Sequence, residues 1–227
     1  MKSIAKILPV IIVICSLCFT INAANPYSLS DSNKHSAKYA VSIVPSYTLE
    51  NGFRFDLDIH LCKNQWLVIG PHYFIARNQN MGLLLGLDQA TDMDGYGFDI
   101  YHKILLNKDV TVNGPYFAYG FRYDHFSFTY TDFAWVKILD AWNTPYYDWE
   151  ETKITETNNR YGVNLMFGLQ YALNKKLLID GYTGCGIQVS DISPANSKIA
   201  DFSNFFLRYN YSGPRFLLGV RIGLFLF

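Results

Sequence analysis

His125, Phe126 and Ser127 put an imidazole and a hydroxyl two residues apart. In an extended chain that spacing sets both on one face, because side chains alternate sides with a period of two. A histidine able to take a serine proton is the minimum for an activated nucleophile, and a carboxylate normally orients the ring. Glu150 and Glu151 follow farther along, with nothing to fix either as the third member. The same residues also read as the polar end of an aromatic strand. Elsewhere acids and bases recur singly between apolar residues. Their spacings suggest no metal site, phosphate loop or nucleotide fingerprint, and no cofactor is expected.

A set of strands must position these residues. Phe53, Phe55, Leu57, Ile59 and Leu61 alternate with Arg54, Asp56, Asp58 and His60, the period-two pattern of a strand with one apolar face. Seven further runs repeat it, at 38–49, 66–77, 96–106, 116–130, 160–173, 177–189 and 214–227. In the first, Tyr39, Val41, Ile43, Pro45, Tyr47 and Leu49 share the apolar face. In 116–130 the parity slips near His125. A tilted strand needs about 9–11 residues to cross a bilayer, and each run supplies them.

The connectors alternate in length. Those at 62–65, 107–115 and 174–176 are short, those at 79–95, 131–159 and 190–212 are long, and 50–52 is the exception. With an even strand count, this pattern predicts an all-β fold: a transmembrane antiparallel up-and-down barrel of eight strands, both termini on one side. A water-soluble barrel would enclose the apolar faces around a ligand cavity. Here those faces are too large and aromatic for eight strands to hold.

Met1 to Lys6 is basic, Ile7 to Thr20 is an apolar run of 14 residues, and Ala23-Ala24 offers small residues for cleavage. That is a secretory signal peptide, too short to span a membrane as a helix. Cys15 and Cys18 lack the preceding small residue of a lipid-anchored chain. Residues 1–23 are assigned to the signal, 24–36 to an N-terminal periplasmic segment and 37–227 to the barrel. Without Lys2 and Lys6, 17 basic side chains face 19 acidic ones, leaving nucleic acid no basic excess to grip. Cys62 and Cys185 lie on different faces and make no disulfide framework. Aromatic residues form 17% of the chain, as expected of rings gathered in girdles at two membrane interfaces.

The last strand ends on Phe225-Leu226-Phe227, read as the insertion signal of a Gram-negative outer-membrane barrel. Its continuous apolar face is the other one, carrying Leu218, Val220, Ile222 and Leu224. Phe225 and Phe227 share a face with Arg221, so the final residues are expected to bulge, twist or lie below the hydrocarbon.

Turned inward, the polar faces carry Asp56, Asp58, Asp99, Asp124 and Asp180 against Lys38, Arg54, Lys103, Arg122, Arg160 and Arg221, with His60. Eight strands leave an interior that side chains just fill. Unpaired buried ions are costly, so a network of ion pairs is expected there. A narrow pore would use the same residues. In the connector 131–159, Trp135, Trp142 and Trp149 recur every seven residues, and Phe133 to Trp142 reads as a short amphipathic helix. It offers either an aromatic surface for a glycan, another envelope protein or lipopolysaccharide, or a lid or helix resting at the interface.

On its alternation and terminal Phe, the chain resembles the small eight-stranded outer-membrane proteins of the OmpA/OmpX/OmpW type over about residues 38–227. Gly95 to Lys103 and Gly114 to Gly120 resemble segments of Bacteroidetes barrels. The resemblance implies membrane integrity, surface interaction or small hydrophobic transport. It implies outer-membrane lipid, lipopolysaccharide and the barrel-assembly machinery as partners, and no peptidoglycan-binding domain is expected. His125 and Ser127 resemble the His and Ser of the PagL family of lipid A deacylases, although that family's Asn after the Ser is Phe128 here. A non-enzymatic structural or surface role is the favoured reading, with the hydrolase and the pore as alternatives.

Overall fold

The computed structural model describes residues 38–77, 92–107, 112–140, 142–173, 176–193 and 209–226. The signal peptide, the N-terminal segment 24–36 and Phe227 lie outside the described residues. Eight antiparallel strands close into one barrel, each beside its sequence neighbours and β8 beside β1. They are β1 (Tyr39–Ile43), β2 (Gly52–Cys62), β3 (Gln65–Arg77), β4 (Asp92–Leu105), β5 (Gly114–Leu139), β6 (Pro145–Leu173), β7 (Leu177–Ser193) and β8 (Gly213–Leu226).

The alternation sorts side chains as expected. On β2, Arg54, Asp56 and Asp58 are buried between exposed Phe53 and Phe55. On β6, Asn164 and Gln170 point in while Leu165, Phe167, Leu169 and Tyr171 point out. The wall is therefore apolar outside and charged inside, a surface solvated by hydrocarbon and not by water. Tyr73 pairs with Tyr96, and Tyr123 with Tyr161. These rings make a row across β3–β6 of the kind that marks a membrane interface.

The first run stops being a strand at Ile43. Pro45 cannot donate to a ladder and has a fixed φ. It opens a 3-10 helix, Pro45–Glu50, closed by Asn51 in the left-handed region at φ 54°. Tyr47 is thereby turned into the lumen, not onto the lipid side.

β5 keeps one parity throughout. Phe126, Phe128 and Tyr130 point inward, so His125 and Ser127 face out with no slip. The three rings join Val44, Tyr47, Phe74, Met93 and Tyr209 in an apolar cluster at the mouth. What changes near His125 is the polarity of the lumen, not the register of the strand.

The connector 131–159 is not a loop holding a helix. β5 and β6 stay paired from Thr131↔Lys153 to Leu139↔Pro145, beyond their last outer partners at Asp92↔Thr129 and Thr157↔Ser193. The segment is rich in β-branched and aromatic residues, which favour a pleated ladder over a helix. Asp140 fixes the turn, its carboxylate accepting from the Trp142 and Thr144 amides at 2.8 Å each.

β8 is regular to its end, with Leu226 opposite Tyr39. Phe225 is buried against Trp66, ring centroids 6.4 Å apart. It shares the inward face of Arg221 and fills the floor of the lumen, so no bulge is needed.

Leu165→Arg, on the lipid side between Tyr161 and Tyr171, should cost about 2–4 kcal/mol of folding into bilayers. Urea titration of vesicle-inserted protein measures it. Trp135→Arg, beyond the wall, should cost less than about 1 kcal/mol, the scale of the one cross-strand pair it breaks.

Candidate functional site: the ionic lumen and the outer ribbon

Aspartates from β2, β4, β5 and β7 converge on cations from β2, β4, β5, β6 and β8. In the upper half, Asp124 accepts from Arg122 Nε and Arg160 Nε, both at 2.7 Å, and contacts His72 Nε2 at 2.5 Å. Asp99 accepts from Arg54 and from the Tyr47 hydroxyl at 3.3 Å. Tyr47 in turn accepts from Arg122 Nη1 at 2.8 Å. Asp56 accepts from Arg54 Nε at 2.6 Å and lies 3.4 Å from Arg221 Nη1, so it joins the two halves. In the lower half, Arg221 pairs with Asp180 and lies 3.5 Å from Asp58. Lys103 Nζ donates to Asp58 at 2.8 Å and to Gln170 at 2.5 Å, and the Tyr116 hydroxyl donates to Asp180 at 2.8 Å.

Five aspartates thus face five cations, all buried; nearer the mouth, buried Glu156 accepts from the Tyr130 hydroxyl at 2.6 Å and half-buried Arg215 donates to Gln188 at 3.3 Å. Removing an ion from water is expensive, and its partners repay this only when geometry and hydrogen bonding are complete. Two glycines make the close approach feasible. A Cβ at Gly97 would meet the His72 ring and the Asp124 carboxylate, and one at Gly168 would meet the Tyr116 ring.

Apolar clusters seal this layer at both ends. At the mouth, Phe74 lies 5.2 Å from Phe126, and Phe126 lies 4.9 Å from Tyr209, between ring centroids. At the floor, Trp66, Leu105, Tyr116, Leu178 and Phe225 pack together.

Of the lumen residues expected from the sequence, Arg54, Asp56, Asp58, Asp99, Lys103, Arg122, Asp124, Arg160, Asp180 and Arg221 come together. Lys38 does not: it is exposed at the start of β1 and makes no ion pair among the described residues. His60 turns to the Lys63 carbonyl at 2.9 Å and packs on Trp66. Both sit at the rim, where water still reaches. His72 and Tyr47 are the members that sequence reasoning missed. His72 was visible on the inward parity of β3, whereas Tyr47 depends on the chain turning inward at Pro45.

The outer wall carries a polar inset. His102 Nδ1 lies 2.8 Å from the Tyr119 hydroxyl and Nε2 lies 3.2 Å from Gln65 Oε1. Mutual hydrogen bonding removes most of the cost of setting these groups in an apolar wall.

His125 and Ser127 face outward beside the tyrosine row. His125 Nδ1 is 2.8 Å from Asn159 Oδ1, and its ring lies on Tyr96, centroids 5.1 Å apart. Among the described residues no hydrogen bond joins His125 to Ser127, and no carboxylate holds the ring. Glu150 and Glu151 stand on the ribbon opposite Ala134 and Phe133. Just beyond the row, Arg77 donates to Asp94 at 2.8 and 2.9 Å, and Tyr73 donates to it at 3.0 Å. The guanidinium bonds hold the half-exposed Asp94 carboxyl below the usual carboxylate range.

Of the three expected loop tryptophans, Trp135 and Trp149 are direct cross-strand partners on the ribbon, with rings 5.3 Å apart. Trp142 sits in its turn, 86% exposed.

No family model matches the chain, and no curated protein matches it. Among solved structures it is similar to a major outer membrane protein from Thermus thermophilus, with 17% identity and a TM-score of 0.43 over 85% of this chain and 100% of that one. It is also similar to Acinetobacter baumannii CarO, with 14% identity and a TM-score of 0.40 over 86% of this chain and 100% of that one. Neither likeness adds support to a Bacteroidetes source.

Asp124→Ala strands Arg122, Arg160 and His72 together and should destabilise the inserted barrel by about 3–5 kcal/mol. Asp94→Ala at the exposed rim should cost about 1 kcal/mol or less. Equilibrium urea unfolding in vesicles separates the two. Arg77→Ala should let the Asp94 carboxyl titrate at higher pH than in the native chain, as read by carboxyl NMR shifts.

Proposed function

We propose that this protein is a non-conducting outer-membrane scaffold whose working surface is the β5–β6 ribbon. The observation that carries this reading is the layering of the lumen: apolar at the mouth, ionic in the middle, apolar at the floor. An eight-stranded interior is already just filled by side chains, and here each of the five buried aspartates is paired with at least one cation. A wall of this polarity behind a signal peptide belongs in the outer membrane of a Gram-negative cell, with the short turns in the periplasm and the ribbon outside. Its partners there are outer-membrane lipid and lipopolysaccharide, the assembly machinery during insertion, and an envelope protein or glycan at the ribbon. The ties of His125 to Asn159 and Tyr96 favour a non-enzymatic role.

Purified protein in planar bilayers should give no discrete conductance steps, and reproducible steps would sink the proposal. Replacing residues 131–153 with a tight Asn-Gly turn should leave outer-membrane fractionation and the heat-dependent gel shift unchanged, because among the described residues they pair only with each other. Loss of insertion on that deletion would mean that the ribbon serves the wall.

A further inference from the structure

Beyond the wall the ribbon has two chemically distinct faces. Residues of odd number continue the outer, lipid-facing side of β5 and β6, and those of even number continue the lumen side. The outer face presents Phe133, Trp135, Tyr147 and Trp149, with Trp135 67% exposed. Phe133 stacks along Trp149 at 6.5 Å and 16°, and Trp135 meets Trp149 edge-on at 5.3 Å. Both lysines of the ribbon, Lys137 and Lys153, share this face with the single acid Glu151. Asp132, Asp148 and Glu150 lie on the opposite face. Bases and rings are therefore gathered on the side that looks toward the surrounding membrane, and most acids on the side that does not.

Position fixes what this face can meet. The odd residues of β5 pass in order through an apolar band ending at Tyr123, a polar belt (His125, Ser127, Thr129, Thr131) and then the rings and lysines. From Thr131 to Leu139 the ribbon extends about 26 Å along its own axis at about 3.3 Å per residue. Barrel strands are tilted by about 35–45°, so a ribbon continuing that tilt leaves the wall sideways and overhangs the adjoining leaflet. We infer that the outer face of the ribbon, through Trp135, Trp149, Lys137 and Lys153, binds the phosphorylated sugar headgroups of glycolipid in the outer leaflet around the barrel. Indole faces stack on the apolar faces of sugar rings, and the ammonium groups pair with phosphate. This rests on the reading of the ribbon as the working surface and names the ligand class of that surface.

The test uses the full mature protein in detergent, titrated with rough-form lipopolysaccharide carrying phosphorylated core sugars, and counts retained glycolipid by native mass spectrometry. Trp135→Ala with Trp149→Ala, and Lys137→Glu with Lys153→Glu, should each weaken retention at least tenfold. Asp148→Asn with Glu150→Gln, on the opposite face, should leave it unchanged. The heat-dependent gel shift verifies that every variant is folded. Native-like binding by both outer-face variants would overturn the inference, and so would equal binding of enzymatically dephosphorylated glycolipid. A conducting native barrel would remove the scaffold reading and leave this binding result standing. Unaltered binding by the variants would remove the inference and leave the silent scaffold.

Discussion

The balance of charge inside the barrel is the constraint on which the rest of the structure depends. Five aspartates and five cations form a buried central network, and the cost of desolvating each is recovered only through the others. Asp124, for example, stands between Arg122 on its own strand, Arg160 on β6 and His72 on β3. Asp56 links the upper set to Arg221 on β8, and Arg221 pairs with Asp180 on β7. The network thereby ties the last strands to the first. Backbone ladders close the wall, and the ions fix which side chains may stand opposite one another within it.

That core also explains the layering above and below. A buried ionic layer depends on its mutual hydrogen bonds, because the low dielectric that strengthens them makes unpaired groups costly, and ring clusters lie above and below it. Tyr47 is the joint between the two environments. Its ring belongs to the apolar cluster, while its hydroxyl donates to Asp99 and accepts from Arg122. The 3-10 helix opened by Pro45 turns Tyr47 inward, where a continued strand would have set it on the lipid side.

The ribbon follows a different logic. Beyond Thr129 on β5 and Thr157 on β6 there is no neighbouring strand among the described residues, so its ladder is held by its own cross-strand pairs. Trp135 against Trp149 and Phe133 beside Trp149 supply the contacts that stabilise an exposed two-stranded ladder. Those same rings are exposed. The ribbon's stability and the surface we propose for binding thus share residues, whereas the charges of the lumen pair among themselves.

The alternating residues determined by themselves that the chain forms eight strands, which faces are apolar, and that Asp56, Asp99, Asp124 and Arg221 point inward, because a strand's side-chain period is local and needs no tertiary information. The same local rule misled where three-dimensional context overrides it. The tertiary structure alone decided that β1 ends at Ile43, that Phe126, Phe128 and Phe225 fill the lumen, that Lys38 and His60 stay at the rim, and that the long connector is a ribbon. For the lumen residues the deciding quantity is depth along the barrel axis. Depth sets whether an inward position meets ions, rings or water, and it follows from strand pairing between residues far apart in the chain, which no run of residues encodes by itself.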